Sequence, residues 1–328
     1  MNANIKVLSF AKEIAKYIFN PTEKIIRWGS DNMMPNKIIE LYESIPEHSA
    51  SIDFISEMIV DNGLEQLDYW TFKKITIDYL LFGGFTVQVI KKRNGTYSLE
   101  YIDISKCRLN PDEKFISYSE DWDRTKAEII SYPITTSISK EGIFFFKSYR
   151  SRGKYPSPYY LSAFKSLDTL DAILSFHHNS ANNGFSPNVL INFNNGTPDL
   201  ETQDDIEKAI KDKFSGASGQ RFILAFNEGK DNAVTIEKLQ ADNLDEKFET
   251  LQKFLQNEIM IAHRITSGCL IGVKPENQGF SKTEYFEALE IFKDTTVSGL
   301  RKELLYALSS LLEIDLDVTV EPNKIEEV

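Results

Sequence analysis

Tyr155-Pro156-Ser157-Pro158-Tyr159-Tyr160-Leu161-Ser162-Ala163-Phe164 is the stretch where the chain changes character. From Pro158 onward Leu161, Phe164, Leu167, Leu170, Ile173, Leu174 and His177 recur at steps of three and one, which predicts an amphipathic helix over 158–183. Asn182-Asn183-Gly184 stops it. A second long helix is predicted over 243–264, capped by Asn243 and carrying Phe248, Leu251, Leu255, Ile259 and Ala262 on one face. Between them lies a small α/β insert. Asn188 to Phe193 reads as a strand and Thr202 to Phe214 as a helix, with further strands at Phe222 to Phe226 and Val234 to Leu239. The Ser215–Gly219 run inside the insert reads as a flexible connection. Two long helices bracketing a compact insert is the organising feature.

Outward from that frame the two flanks differ. Upstream, Ile5, Leu8, Ala11, Ala15 and Ile18 predict a helix over 4–19, and three more helices are expected at about 37–44, 47–59 and 71–81. Gly83-Gly84 ends the last. Phe85 to Lys91 and Tyr97 to Ile102 then alternate around Asn94-Gly95, the signature of a β-hairpin. Arg108 to Pro111, Phe115 to Tyr118 and Ile143 to Tyr149 read as further strands, and Pro133 as a loop marker. Downstream, residues 267–282 have no period, and a loop that long inside a compact region is usually functional. A third long helix is predicted over 283–312, with Phe286, Leu289, Phe292, Leu300, Leu304, Leu308 and Leu311 on its apolar face, followed by a strand over 314–320. The fold class is α+β.

Composition narrows the function. The 328 residues are 41% hydrophobic and 26% charged, an ordinary globular balance. Against 37 Lys and Arg stand 49 Asp and Glu, a net charge of −12, which argues against wrapping DNA on a basic face. Cys107 and Cys269 form no metal knuckle or disulfide framework. Lys6, Lys12, Glu13 and Lys16 interrupt any signal-peptide core, and no apolar run approaches the roughly 20 residues of a membrane span. A soluble chain, folding inside the cell without a membrane partner, is expected.

Catalytic constellations are missing. Ser162 and Lys165 stand three apart as in penicillin-recognising enzymes, but the companion motifs are absent and the pair falls within a regular helical pattern. No phosphate-cradling loop occurs. His177 and His178 are adjacent on a helix and point about 100° apart, so they and His263 read as packing or solvated residues. Asp168 and Asp171 read as a surface pair. No catalytic residue, cofactor or metal is expected. The enzyme alternative would rest on Asp103, Asp121 and Asp123 gathering around Mg²⁺ for work on nucleic acid.

In the order of its parts the chain resembles the portal proteins of tailed bacteriophages and prophages. The resemblance is carried by Asp78 to Ile90 with the hairpin that follows and Tyr101-Ile102-Asp103-Ile104, and by the Tyr155–Ala163 entry into a helix ending in Asn182-Asn183-Gly184-Phe185. Ala262 to Gly272, followed by Asn277-Gln278-Gly279-Phe280 and another helix, completes it. The resemblance implies a wing over 1–155 with a returning strand at 313–328, and stem helices at 156–184 and 241–266. It further implies a clip at 185–240, a tunnel loop at 267–282 and a tunnel helix at 283–312, with the crown reduced or absent. It implies a dodecameric ring at the capsid vertex of a virion, assembled in the host cytoplasm, through which double-stranded DNA is packaged and ejected. The implied partners are the terminase large subunit, a head–tail adaptor, and the major capsid protein or scaffold. A capsid adaptor without a DNA channel is a further alternative.

A conduit for a polyanion should hold few tight phosphate contacts, because each Lys or Arg that neutralises a phosphate adds affinity and slows sliding. Asp245, Glu249, Glu287 and Glu290 are therefore the expected channel-lining acids, with Glu284 and Asp294 beside them. Lys274, Asn277, Gln278 and Lys282 are the expected DNA-facing residues of the loop. The clip has a thin core, so Phe193, Asp205, Lys208 and Phe226 are expected at a subunit interface, its strand edges met by a neighbour.

Overall fold

A computed structural model describes residues 17–61, 63–122, 128–151, 153–182, 189–193, 202–203, 205–206, 222–226, 244–273 and 281–316. The chain divides into two compact units, residues 1–168 with 255–328, and residues 169–254.

The first unit opens with a short antiparallel ribbon, β1 (Phe19–Asn20) and β2 (Ile25–Ile26). The helix expected over 4–19 does not extend to its end. Asn20 Oδ1 accepts from the backbone N–H groups of Thr22 and Glu23, and Pro21 turns the chain into the ribbon. Residues 4–16 lie outside the described residues. Three helices follow: α1 (Met34–Ser44), α2 (Pro46–Val60) and α3 (Tyr69–Phe82). Proline in the first turn of α1 and of α2 starts each one, where a missing N–H costs nothing. Asp68 caps α3 by accepting from the Thr71 N–H.

The expected hairpin forms as β3 (Gly84–Lys91) and β4 (Tyr97–Tyr101), paired from Lys91↔Tyr97 to Val87↔Tyr101. The strand β8 (Gly142–Lys147) adds antiparallel on the other side of β3. A second antiparallel sheet runs β5 (Cys107–Leu109), β6 (Phe115–Tyr118) and β7 (Ile130–Pro133). Pro133, read as a loop marker, ends an edge strand instead, the place in a sheet where a missing N–H is tolerated.

Gly83-Gly84 sits where this unit closes. Gly83 caps α3 at φ +76°, and a Cβ there would meet the Ser157 carbonyl oxygen at 2.0 Å. A Cβ on Gly84 would meet the Phe146 carbonyl oxygen at 2.4 Å and the Pro156 ring. The Tyr155–Pro158 stretch therefore lies directly on the glycine pair. Tyr155 stacks on Trp28 at 4.5 Å, donates to the Ile26 carbonyl and accepts from the Leu109 N–H. Beside it Arg108 is fully buried. Its guanidinium donates to Asn32 Oδ1 (2.6 Å), the Asn32 carbonyl (2.9 Å) and the Ser105 and Cys107 carbonyls. Four neutral acceptors, with the rings of Trp28 and Trp122 on its flanks, hold a charge that has no carboxylate among them. Burial lowers its pKa to about 10.

The long helix expected over 158–183 begins as a 3₁₀ turn, Leu161–Ala163, and continues as α4 (Phe164–Asn182). Phe164, Leu167, Leu170 and Ile173 are its buried stripe, as the spacing predicts. The helix α5 (Leu244–Ala262) buries Leu255 and Ile259.

The expected third helix forms with an interruption. It consists of α6 (Lys282–Phe292), a π-helical segment (Lys293–Val297) and α7 (Ser298–Leu312). Its buried residues include Ala288, Phe292, Thr296, Leu300, Leu304, Leu308 and Leu312, a strict step of four. In an α-helix each such step turns the face by about 40°, so six steps rotate it well away from a fixed core. An i→i+5 segment holds more residues per turn and absorbs part of that drift. Phe286, read as core, is 39% exposed, because its place two residues before buried Ala288 puts it on the other side of α6. Beyond α7 residues 314–316 form no strand, contrary to expectation, and 317–328 lie outside the described residues.

In the second unit β9 (Val189–Phe193) and β10 (Phe222–Phe226) pair in parallel. Parallel neighbours need a crossover connection, and residues 202–203 and 205–206 between them are helical. The strand expected over 234–239 lies outside the described residues. Phe176 and His177 on α4 pack against Phe248 on α5, with ring centroids 5.6 and 5.7 Å apart. His177 thus packs against a ring, one of the two readings its sequence allowed.

Candidate functional site

The most regular charged surface among the described residues is the solvent face of α6 and the π-helical segment after it. Ser281 caps the helix by accepting from the Glu284 N–H at 3.4 Å, and the apolar side turns Ala288 and Phe292 inward. Glu284, Glu287, Glu290 and Asp294 consequently all lie exposed, at steps of three, three and four that keep them on one 120°-wide stripe. No Lys or Arg falls within that stripe. Lys282 is a correction in place if not in exposure. It is the first residue of α6 rather than a loop residue, and its ammonium lies 5.7 Å over the Phe286 ring.

The loop expected over 267–282 is largely tied down at its start. Gly268–Ile271 is a 3₁₀ turn capped by Ser267, with Cys269 and Leu270 buried. The Val273 N–H donates to the Gly268 carbonyl, and Thr266 Oγ1 donates to the Ala288 carbonyl on α6. Lys274, Asn277 and Gln278 lie outside the described residues.

The residues rooting this segment include a pair that sequence reasoning missed. His263, one residue past α5, lies 2.8 Å by its Nε2 from His48 Nδ1 on α2, and the Tyr159 hydroxyl lies 2.7 Å from His263 Nδ1. Both imidazoles are fully buried, and Tyr160 packs on both rings. His48 Nε2 has no hydrogen-bond partner among the described residues. Burial pushes His48 down to about 3, and burial together with the His48 charge pushes His263 well below its ordinary value. The pair is 215 residues apart in sequence, and no spacing signal joins it.

The remaining expected residues are dispersed. Glu249 on α5 is exposed and pairs with Lys253 at 3.0 Å. Asp245 is helical, its side chain outside the described residues. Phe193 and Phe226 stand opposite one another at the end of the β9–β10 ladder. Asp205 is exposed on the helical residues between those strands, and Lys208 is outside the described residues. Asp168 holds Lys37 at 2.7 Å, a surface ion pair.

Asp103 and Asp121 do line one hollow of about 500 Å³, with Glu40 and Glu43 opposite. Asp103 is engaged there as a cap, accepting from the Ser105 N–H at 2.8 Å. Among the described residues no three acids, histidines or cysteines gather as a metal site. Asp123 lies outside the described residues. No described helix is long and apolar enough to cross a membrane.

The chain shares its fold with components of gene transfer agent particles, which are phage-like, including components of their necks. A chain of the virion of the native gene transfer agent particle matches at TM-score 0.56 and 16% identity, over 97% of this chain and 89% of that one. A chain of the neck of the empty particle, computed with C6 symmetry, matches at 0.56 and 14%, over 99% and 91%. A chain of the native neck, computed with C12 symmetry, matches at 0.52 and 16%, over 94% and 88%. No family model and no curated protein matches the sequence.

Proposed function

We propose that this chain is a portal subunit, forming a ring at a capsid vertex through which double-stranded DNA is packaged and ejected. The observation that carries the reading is the match of nearly the whole chain to neck components of symmetric, phage-like particles. Homologous parts at C6 or C12 positions close into a ring through heterologous contacts.

In this reading α4 and α5 are the stem, the β9–β10 unit is the clip, and residues 267–282 with α6 face the channel. The carboxylate stripe of Glu284, Glu287, Glu290 and Asp294, joined by Asp245 and Glu249, repels phosphates and lets DNA slide. Lys274, Asn277, Gln278 and Lys282 make its few contacts. Among the described residues β9 and β10 pair only with each other, and in this reading a neighbouring subunit meets their outer edges near Phe193, Asp205, Lys208 and Phe226. The clip receives the terminase and later the head–tail adaptor. The protein acts without catalysis.

Light scattering over a concentration series, with negative-stain images of the large species, tests this. Rings with a central hole are expected, and a compact dimer without one overturns the reading. The second reading, metal-dependent chemistry on nucleic acid, draws on Asp103 and Asp121 sharing one hollow. A Mg²⁺-dependent rise in Tm that Asp121→Asn removes would favour it instead.

A further inference from the structure

Two arginines face one small pocket in the first unit. Arg150, just past β8, and Arg264, just past α5, line a space of about 140 Å³ together with Tyr79, Ser148, Tyr159 and Glu303. Neither guanidinium makes an ion pair or side-chain hydrogen bond with a described residue. Both nevertheless act on hydroxyls of the pocket wall. Arg150 opposes the upward shift that burial gives Tyr79, and Arg264 does the same for Tyr159. Both side chains border that one space.

The acid of the pocket is already occupied. Glu303 accepts from the Tyr79 hydroxyl through Oε2 at 2.9 Å and from the Ser148 hydroxyl through Oε1 at 2.6 Å. It neutralises neither arginine by direct contact. The backbone of Arg264 is held at φ +58°, the left-handed region that a non-glycine residue keeps only where the surroundings impose it. On the opposite wall a Cβ added to Gly299 would meet nothing within 4 Å, so that side is open. The π-helical segment ends at Val297, immediately before this wall, and such segments often accompany functional sites.

Two positive groups and one carboxylate leave the pocket with a charge of +1, which suits a monoanion; a phosphate dianion would meet Glu303. Planar guanidinium pairs with carboxylate through two parallel hydrogen bonds. We propose that this pocket binds a carboxylate, clasped between Arg150 and Arg264. The Tyr159 hydroxyl joins as a donor when His263 carries its proton on Nδ1 and the phenol oxygen accepts it. The carboxylate comes either from an Asp or Glu of a second copy, which rests on the ring reading above, or from a free carboxylate ion.

The test compares the full chain in sodium acetate and sodium chloride at equal ionic strength by thermal unfolding, with ring assembly followed by light scattering. The variants are Arg150→Gln with Arg264→Gln, and Lys140→Gln with Lys165→Gln as an exposed control of equal charge change. Acetate is expected to raise the Tm saturably by about 2 °C over chloride, in wild type and control but not in the arginine variant. Loss of rings in an arginine variant of unchanged far-ultraviolet circular dichroism also supports the pocket and assigns the carboxylate to a neighbouring copy. Retained assembly with a lost acetate effect assigns it to a free ion. If wild type forms no rings at all, the ring reading fails and the acetate comparison still decides the pocket. An acetate effect that persists in the arginine variant overturns the proposal. So does the absence of any acetate effect in a wild type whose arginine variant assembles, or fails to assemble, just as it does.

Discussion

Lowering the pH from 7.5 to 5 should destabilise this protein through His48 and His263, and the size of the effect follows from their burial. Among the described residues no carboxylate hydrogen-bonds to either ring. Its neighbours are Tyr159, Tyr160 and the edge of Tyr42, and the nearby Glu47 is engaged with Gln256. His48 is therefore held neutral in the fold, its pKa moved from 6.5 to about 3. The unfolded chain binds a proton at 6.5 and the folded one does not, so the stabilisation is complete above that value. It is lost progressively as pH falls from 6.5 toward 3. At pH 5, 1.5 units below the unfolded value, the loss from His48 alone is about 2 kcal/mol at about 1.4 kcal/mol per unit. His263 acts in the same direction. Urea unfolding across pH 5 to 7.5, for wild type and His48→Gln, measures the slope, which should be shallower in the variant below pH 6.5. Ring-labelled histidine followed by NMR gives the direct check. A folded-state His48 that titrates near 6.5, or a slope unchanged in the variant, would refute the argument.

Gly83→Ala meets the Ser157 carbonyl at 2.0 Å and must also hold φ +76°, whereas Gly95→Ala, at φ +86°, meets nothing within 4 Å. The first should cost at least about 3 kcal/mol and the second about 1 kcal/mol, read from paired thermal melts. Arg108→Met removes a buried cation but leaves both Asn32 oxygens and the carbonyls of Ser105 and Cys107 without that donor. A loss of about 3–5 kcal/mol is expected in urea unfolding. Glu287→Lys with Glu290→Lys changes only exposed positions and should leave the Tm within about 1–2 °C. The same pair should create DNA retention at low salt that falls steeply as salt rises, measured by fluorescence anisotropy. Retention equal to that of wild type would count against a channel role for this stripe.

Local pattern determined most of the elements. Asn94-Gly95 between alternating residues forms the hairpin because the turn demands positive φ and the strands demand period two. The stripe Phe164, Leu167, Leu170 and Ile173 is buried because three-residue steps keep successive side chains on one side of a helix. The acids of α6 were likewise readable as a group, since their spacing alone puts them on one side. The succession of parts also led, through resemblance, to the class of particle in which this fold occurs.

What local pattern could not determine depends on groups distant in sequence. The His48–His263 pair, the Arg150–Arg264 pocket and the seat of Arg108 against Asn32 each join residues that only packing brings together. Pro133 becomes an edge-strand residue because β6 pairs it, and residues 267–273 become a packed turn because Cys269 and Leu270 find a place to bury. The π-helical segment belongs to the same class. The four-residue rhythm was present in the sequence, but the drift that the π-helical segment absorbs matters only against a fixed core. Periodicity acts over a few residues and sets which elements form. Burial and charge act across the fold, and they decide which side chains meet and what those side chains can bind.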